Sequence, residues 1–190
     1  QKLSGFLGIF ERTSKRGNLE YLPKKIKTDV ILVGCDRLGY NIFDALYNLD
    51  HKFVVVDYNP EIIAKLVKKG FHCIYGEVAD DEVIDRMNLG KVTMLISTVP
   101  EIRDNIILIR KVRAVNRKAK IIVTASEIDE ALRLYKEGAD YVILPHFLGG
   151  EHVANLIDKV RIKKVNLHNK RQAHIKHLED RKDVGHEHPK

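Results

Sequence analysis

From residue 29 to residue 144 the chain alternates between short apolar runs and longer amphipathic segments. Residues 30–33 and 53–56 are runs of Val, Ile, Leu and Phe, which is typical of strands buried on both faces of a parallel sheet. Residues 38–49 carry apolar side chains every three or four positions, as one face of an amphipathic helix does. The same pattern predicts strands at residues 30–33, 53–56, 71–75, 92–96, 121–124 and 141–144, and helices at about residues 38–49, 60–69, 81–87, 101–116 and 127–136.

Six strands separated by helices indicate a parallel sheet, because each crossover connection must be right-handed. The predicted fold class is therefore α/β, with a Rossmann-type, doubly wound, six-stranded parallel sheet in the order 3-2-1-4-5-6. Pro145 is expected to break the pattern, and a C-terminal crossover helix is expected after Gly150. The chain then turns polar and rich in His, so residues 166–190 are expected to be loosely ordered or helical only in part.

The first 27 residues differ from the rest. A short apolar stub, GFLGIF, runs into a segment rich in Lys and Arg, which is typical of the cytoplasmic exit of a transmembrane helix. A mobile arm or a small amphipathic helix is the alternative, and the start at Gln1 instead of Met favours the first interpretation. The expected organisation is a membrane-proximal basic linker (residues 1–27), a nucleotide-binding domain (28–147), a crossover and dimerisation helix (148–165) and a polar tail (166–190).

Size and charge narrow the function. A chain of 190 residues holds one well-buried domain, but not a Rossmann unit together with a full catalytic domain. The net charge of +7 allows an acidic partner such as a nucleotide, a nucleic acid or anionic lipid. Cys35 and Cys73 are expected to be separated by the second strand, so we expect free thiols and a reducing compartment.

Gly34 and Gly39 mark the turn between the first strand and the first helix. The spacing matches the G-x-G-x-x-G phosphate-binding pattern, with Asp36 in place of the middle glycine, and backbone N–H groups at such a helix N-terminus bind anions. Asp57 ends the second strand about 20 residues later, as the ribose-binding acid of this fold does. The alternative for Asp57 is a cap on the helix near Pro60. The whole arrangement favours a nucleotide site.

Asp36 changes the expected ligand. The middle glycine lets the backbone approach a pyrophosphate closely, and a carboxylate there repels it. Arg37 offers a compensating contact to a phosphate. The sequence therefore predicts weakened dinucleotide binding, or a preference for a mononucleotide.

Catalytic and metal chemistry find little support in the sequence. H-E-x-x-H, G-x-S-x-G and Walker motifs are missing, and Ser97, Thr98 and Glu127 resemble ligand contacts more than a nucleophile with its base. The tail histidines lack a rigid frame for a metal. Four arginines near one face of the long helix (Arg103, Arg110, Arg113 and Arg117) are expected to form a solvated face paired with acids. An enzyme and a nucleic-acid partner are therefore not expected.

Several ordered motifs carry a resemblance to a known family. GCDRLGYNI after a strand, VVVDYNP, YGEVADDEVI, ISTVPEIRDN and GADYVILPHFLGGEHVANLI together resemble the RCK domain (also called KTN, of the TrkA-N type). RCK domains are cytosolic nucleotide-binding modules of potassium channels, Trk/Ktr uptake systems and Kef-type cation/proton antiporters. The resemblance covers roughly residues 28–165.

The resemblance implies an adenine nucleotide (NAD(H), AMP, ADP or ATP) as ligand and a homodimer formed through the C-terminal helix. It also implies an attached membrane channel or antiporter, in the same polypeptide, and a place at the cytoplasmic face of the cell membrane. Residues 34–39 would hold the phosphates, Asp57 the ribose, Glu77 the adenosine side, and Thr98 the far wall. The candidate cofactor-binding residues are Gly34, Cys35, Asp36, Arg37, Leu38, Gly39, Asp57, Tyr58, Glu77, Val78 and Thr98.

The main hypothesis is a nucleotide-sensing regulatory domain that gates potassium or cation/proton transport. An NAD(P)-dependent oxidoreductase fragment that lacks its substrate domain is the alternative, and turnover of NADH with a carbonyl substrate would favour it. A redox-sensing DNA-binding repressor is a third option, although no helix-turn-helix is visible.

Overall fold

The computed structural model of the chain describes residues 28–162 and 166–183. The basic linker predicted at residues 1–27 and the end of the tail, residues 184–190, lie outside the described residues. The strands are β1 (Val30–Val33), β2 (Phe53–Asp57), β3 (Cys73–Tyr75), β4 (Met94–Ser97), β5 (Lys120–Thr124) and β6 (Tyr141–Ile143). The helices are α1 (Arg37–Asn48), α2 (Pro60–Lys68), α3 (Asp81–Arg86), α4 (Ile102–Val115), α5 (Ile128–Glu137), α6 (Pro145–Arg161) and α7 (Leu167–Asp183), with a 3₁₀ turn at Leu89–Lys91.

The six strands form one sheet in the order β3-β2-β1-β4-β5-β6, and every pairing is parallel. Val30 of β1 is level with Phe53 of β2 and with Met94 of β4, so the carboxyl ends of these strands share one edge. The predicted α/β class and strand order are confirmed. β1 and β2 are buried along their whole length, as central parallel strands are. Their sequences are therefore continuous apolar runs, from which the strands could be predicted.

Burial on both faces also supplies most of the core. Side chains from the sheet and from the helices that cover it are fully buried and large, and a parallel sheet needs such a layer on each face. This set includes Ile31, Leu32, Ile63, Ile74, Leu95, Leu108, Ile109, Ile121 and Leu134.

Helix α6 differs from its prediction. It begins at Pro145, whereas Pro145 was expected to break the pattern and a helix was expected only after Gly150. Proline suits the first helical position, because its fixed φ is helical and its missing N–H would have no partner there. The compact units of the chain divide between Ile143 and Leu144.

The polar tail is helical from Leu167 to Asp183. Its few large apolar residues, such as Leu167 and Leu178, are exposed. This agrees with the sequence, which shows no apolar stripe there. Among the described helices, none combines the length and the apolar character that crossing a bilayer requires.

Arg113, near the end of α4, contacts the segments that lead into β5 and β6 at the amino edge of the sheet. Its guanidinium donates to the carbonyl oxygens of Gly138 at 2.7 Å and Ala119 at 2.6 Å, and to the Asp140 carboxylate at 2.7 Å. Arg110 lies at the surface and donates to both carboxylate oxygens of Glu137, at 2.8 Å each. The pairing of this arginine face with acids is confirmed for both residues, but Arg113 is a structural link and not a solvated side chain.

Replacing Arg113 with Met is expected to lower the free energy of unfolding by roughly 2 kcal/mol, because two partly buried carbonyls lose their charged donor. Arg110→Met is the matched control, with an expected loss of about 1 kcal/mol or less, as for other exposed ion pairs. Urea denaturation measures both, and equal losses would contradict the prediction.

The difference between wild type and Arg113→Met is also expected to depend on pH. Burial alone would raise the pKa of Asp140, but the Ile121 amide and the Arg113 guanidinium hold it below its ordinary value. A depressed carboxyl pKa stabilises the fold above the ordinary value, and this contribution is lost as the pH falls through the folded pKa. The difference in the free energy of unfolding between wild type and Arg113→Met should therefore become smaller as the pH falls.

Candidate functional site

The turn between β1 and α1 requires glycine at its first position. Gly34 has φ of +79°, a left-handed conformation that disfavours other residues. A Cβ atom on Gly34 would also lie 2.6 Å from Oγ1 of Thr98. The Gly34 amide donates to the Val56 carbonyl oxygen at 2.8 Å, which holds the turn against β2.

Gly39 serves a different purpose, the close approach of α1 to the turn. A Cβ atom on Gly39 would overlap the carbonyl oxygen of Gly34 and lie 2.8 Å from its carbonyl carbon. The first turn of α1 can therefore sit on the end of β1 only without a side chain at residue 39. The two outer glycines of the motif thus have separate steric reasons.

Asp57 ties this turn to the end of β2. Its Oδ2 accepts from the Cys35 amide at 2.7 Å, and its Oδ1 accepts from the Asn59 amide at 2.8 Å. Asn59, not Asp57, is the N-cap of α2, since its side chain accepts from the Glu61 amide at 2.9 Å. The Asp57 carboxylate therefore lies directly beside the glycine turn.

Burial dominates the electrostatics of Asp57. The residue is 6% exposed, and this desolvation raises the pKa of its carboxyl above the ordinary value, while the amide donors at Asn59 and Cys35 oppose the rise. A desolvated carboxylate is an effective acceptor for additional hydroxyl donors, because little water competes for its remaining lone pairs. A ribose diol is a ligand group of this kind.

Thr98 forms the wall on the other side of the turn. Its amide donates to the Val33 carbonyl oxygen at 2.9 Å, and its Oγ1 lies 3.0 Å from the Gly34 carbonyl oxygen, to which it donates. Because β1 and β4 are paired up to Val33 and Ser97, Thr98 lies against the glycine turn.

The end of β3 adds the third side. The Gly76 amide donates to the Asp57 carbonyl oxygen at 3.0 Å, which places Glu77 and Val78 next along the edge. The side chain of Glu77 is exposed, and that of Val78 is buried. Burial raises the pKa of Asp104, with further contributions from Glu101 and Glu77. Three carboxylates, those of Glu77, Glu101 and Asp104, therefore lie on this side, and the Arg86 guanidinium donates to the Tyr75 carbonyl oxygen at the end of β3 at 3.2 Å.

The remaining predicted residues differ in exposure. Tyr58 is exposed beside Asp57, Leu38 is partly buried, and the exposed Asp36 and Arg37 side chains approach each other to 3.6 Å. The Cys35 thiol is buried, and burial together with nearby Asp57 raises its pKa to about 12. Only the backbone amide of Cys35 therefore contacts Asp57 at the site. The buried thiol stays protonated, and a protonated thiol is a poor nucleophile.

A cavity of about 50 Å³ lies at the outer side of β3 and is lined by Tyr75, Gly76, Asp80, Glu82, Val83 and Arg86. It has room for a few water molecules and no more. This cavity is too small to hold a nucleotide.

Two asparagines at this edge were missed in the sequence. Asn59 caps α2, and Asn105 is fully buried in α4 with its amide nitrogen bonded to the loop after β4 and to the end of β5. A polar residue next to Ile106 on the apolar face of α4 was the available signal for Asn105. Within the described residues no cluster of His, Cys, Asp and Glu side chains is suited to a metal ion.

Relatives of the chain are membrane transport proteins. It is 25% identical over 135 residues to potassium channel protein 1 of Methanocaldococcus jannaschii, a match that covers 70% of this chain and 40% of that protein. It is 28% identical over 109 residues to the glutathione-regulated potassium-efflux system protein KefC of Cronobacter sakazakii, covering 57% of this chain and 18% of KefC. The chain thus spans less than half the length of these relatives.

Solved structures agree with the fold. The TrkA-N domain of the inner membrane protein ybaL from Escherichia coli matches with a TM-score of 0.66 at 24% identity, covering 70% of this chain and 98% of that one. The GsuK channel bound to NAD matches with a TM-score of 0.57 at 26% identity, covering 67% and 23%. GsuK bound to ADP matches with a TM-score of 0.58 at 25% identity, covering 72% and 36%.

The family model of the TrkA-N domain matches residues 30–145, which is more than half of the chain. Its span begins with β1 and ends just after β6, so it includes the glycine turn, Asp57 and Thr98. The resemblance inferred from the sequence motifs is confirmed, and the chain belongs to the TrkA-N domain family.

Proposed function

We propose that this chain is the nucleotide-sensing regulatory domain of a membrane potassium or cation/proton transport protein. The observation that carries the proposal is the joint at the end of β1 and β2, where the buried Asp57 carboxylate accepts from the amide of Cys35 inside the glycine turn. In this fold, an acid at the end of the second strand accepts from the ribose and the N-terminus of the first helix binds the phosphates. GsuK, a related channel, binds NAD and ADP.

The phosphates are proposed to bind the first turn of α1. The amides of Gly34 and Cys35 already donate to Val56 and Asp57, so they support the turn and do not hold the ligand. The amides of a first helical turn, here those of Leu38 and Gly39, have no carbonyl partner within their helix. Together with the positive end of the helix dipole they favour an anion.

The adenosine is proposed to extend toward β2 and β3. Asp57 would accept from the ribose hydroxyls, Tyr58 and Glu77 would flank the base, and Val78 would support the loop from below. Thr98 would close the opposite side. This orientation keeps the phosphates away from the acidic group of Glu77, Glu101 and Asp104.

The transport partner and the dimer are part of the proposal. The relatives support a membrane-embedded channel or antiporter in the same polypeptide, with this domain at the cytoplasmic face of the cell membrane.

Helix α6 exposes Phe147, Leu148, Val153 and Ile157, which supports dimerisation through this helix. Nucleotide binding would regulate transport by favouring one dimer arrangement, in proportion to its difference in affinity for the two. The proposed role is regulatory and not enzymatic.

Titration of the purified chain with NADH, NAD, AMP, ADP and ATP by calorimetry tests the proposal. We expect binding of at least one of them, with mononucleotides bound more tightly than NAD(H) because of the Asp36 carboxylate. Tight NAD(H) binding without any response to mononucleotides would overturn this preference. A chain that binds none of the five would overturn the proposed function.

Asp36→Gly is expected to tighten NADH binding by about three- to tenfold, because removing the charge and the side chain lets a pyrophosphate approach the backbone. Asp36→Asn is the control that removes only the charge. An intermediate gain for Asp36→Asn would separate charge from size, and unchanged NADH affinity in both variants would show that residue 36 does not face the ligand.

A further inference from the structure

Asn105 connects the loop after β4 to the end of β5 at the carboxyl edge of the sheet. Its side-chain nitrogen donates to the Val99 carbonyl oxygen at 2.8 Å and to the Thr124 carbonyl oxygen at 2.8 Å. Val99 lies in the loop between β4 and α4, and Thr124 ends β5. One carboxamide therefore holds the loop against the neighbouring strand.

The chemistry at this position requires two donors on one short side chain. Asn105 is 0% exposed; its contact with Thr124 is buried, and its contact with Val99 is partly buried. An amide nitrogen supplies both hydrogens, whereas an ionised Asp supplies none and Leu supplies none. The side-chain oxygen of Asn105 is buried without a hydrogen-bond partner in the described part of the chain, and its desolvation is unfavourable. The amide nitrogen thus accounts for the polar contacts of the residue.

The loop that Asn105 holds includes the wall of the candidate site. Thr98 immediately precedes Val99, and its hydroxyl contacts the Gly34 carbonyl oxygen at 3.0 Å. Its amide donates to Val33 at 2.9 Å. A shift of Val99 would move Thr98, and Thr98 meets the turn at the point where a Cβ on Gly34 would collide. The position of the wall therefore depends on the carboxamide of Asn105.

We propose that Asn105 is a positioning residue of the nucleotide site. It touches no ligand. It fixes the loop between β4 and α4 so that Thr98 stays against the glycine turn, and it thereby sets the affinity for an adenine nucleotide. The proposal rests on the proposed function, since it concerns the affinity of that same site.

Asn105→Leu in the 190-residue chain tests the proposal, because it keeps a similar volume and removes both donors. We expect ADP to bind about tenfold more weakly, as the loss of loop hydrogen bonds predicts. Amide hydrogen exchange is measured in parallel without nucleotide. We expect the Thr98 amide to exchange faster, while the Val55 amide in the centre of the sheet changes much less.

Asn116→Leu is the matched control. It makes the same substitution at the opposite end of α4, where the Asn116 side-chain nitrogen donates to the carbonyl oxygens of Leu89 at 3.2 Å and Val92 at 2.8 Å, and it leaves both contacts of the Asn105 amide in place. It should lower stability while ADP affinity stays within about twofold. Equal loss of affinity in both variants would mean that Asn105 acts only through general stability, and would overturn the proposal.

A variant that does not fold and a wild-type chain that binds no nucleotide lead to different conclusions. If Asn105→Leu does not fold, Asn105→Ser, which retains one donor, is used and must still weaken ADP binding. If the wild-type chain binds no nucleotide, the proposed function fails, and the exchange measurement alone decides the role of Asn105. A Thr98 amide that exchanges no faster than in wild type would overturn that role whatever the nucleotide result.

Discussion

Gly39→Ala is expected to lower the free energy of unfolding by about 3 kcal/mol or more and to abolish nucleotide binding. The added methyl group would overlap the Gly34 carbonyl oxygen, which is backbone and cannot rotate away. Relief requires α1 to move off the end of β1, and that movement separates the amides of the first helical turn from the turn itself. Urea denaturation and ADP calorimetry measure the two effects.

Gly90→Ala is the matched control for the methyl group. Gly90 lies in the 3₁₀ turn before β4, and a Cβ there would meet nothing within 4 Å. The stability of this variant should remain within about 0.5 kcal/mol of wild type. A Gly39→Ala protein as stable as Gly90→Ala, with unchanged ADP affinity, would show that α1 does not need to approach the turn so closely.

The central strands and the glycine turn could be predicted because their causes are local. β1 and β2 are buried on both faces, so the apolar runs are continuous and hard to mistake for amphipathic segments. The positions of Gly34 and Gly39 follow from backbone sterics that the motif spacing records. The side chains that are expected to meet the ligand follow directly after these strands, so strand order brings them to one edge.

The sequence could not predict features that depend on distant partners. Pro145 is compatible with both a helix break and a helix start, and the chain that follows decides between them. Arg113 resembled the exposed Arg110, because only the packed structure brings Gly138 and Asp140 to its guanidinium. Asn105 had a similar ambiguity, since only the packed structure brings its two carbonyl partners, in the loop after β4 and at the end of β5, to its side chain.

The charges around the candidate site differ between its two ends. The chain as a whole carries a net charge of +7, yet the edge at β3 and α4 is acidic, and the pKa of Asp104 is raised first by burial and then by Glu101 and Glu77. The first turn of α1 offers the opposite field, through its amides and helix dipole. The proposed orientation, with the phosphates at α1 and the base toward β3, agrees with this distribution, and inorganic phosphate alone is expected to bind more weakly than the nucleotide.

Asp57→Asn is expected to weaken ADP binding by roughly 10- to 100-fold, because hydrogen bonds to a charged acceptor contribute more than those to a neutral one. The fold is expected to persist. Asn keeps one acceptor for the Cys35 or Asn59 amide, and it removes a carboxylate whose pKa is raised by burial. Asp44→Asn, an exposed change on α1, is the control and should leave ADP affinity unchanged.

The pH dependence of stability distinguishes this variant from one that merely unfolds. A carboxyl with a raised folded pKa stabilises the protein below its ordinary pKa, and this contribution is lost as the pH rises through the folded value. Wild type should therefore lose stability relative to Asp57→Asn as the pH rises from acid through that range, and the difference should then level off. Affinity should fall in Asp57→Asn at neutral pH even where its stability matches wild type. If ADP affinity instead follows stability at every pH, Asp57 supports the turn but does not bind the ribose.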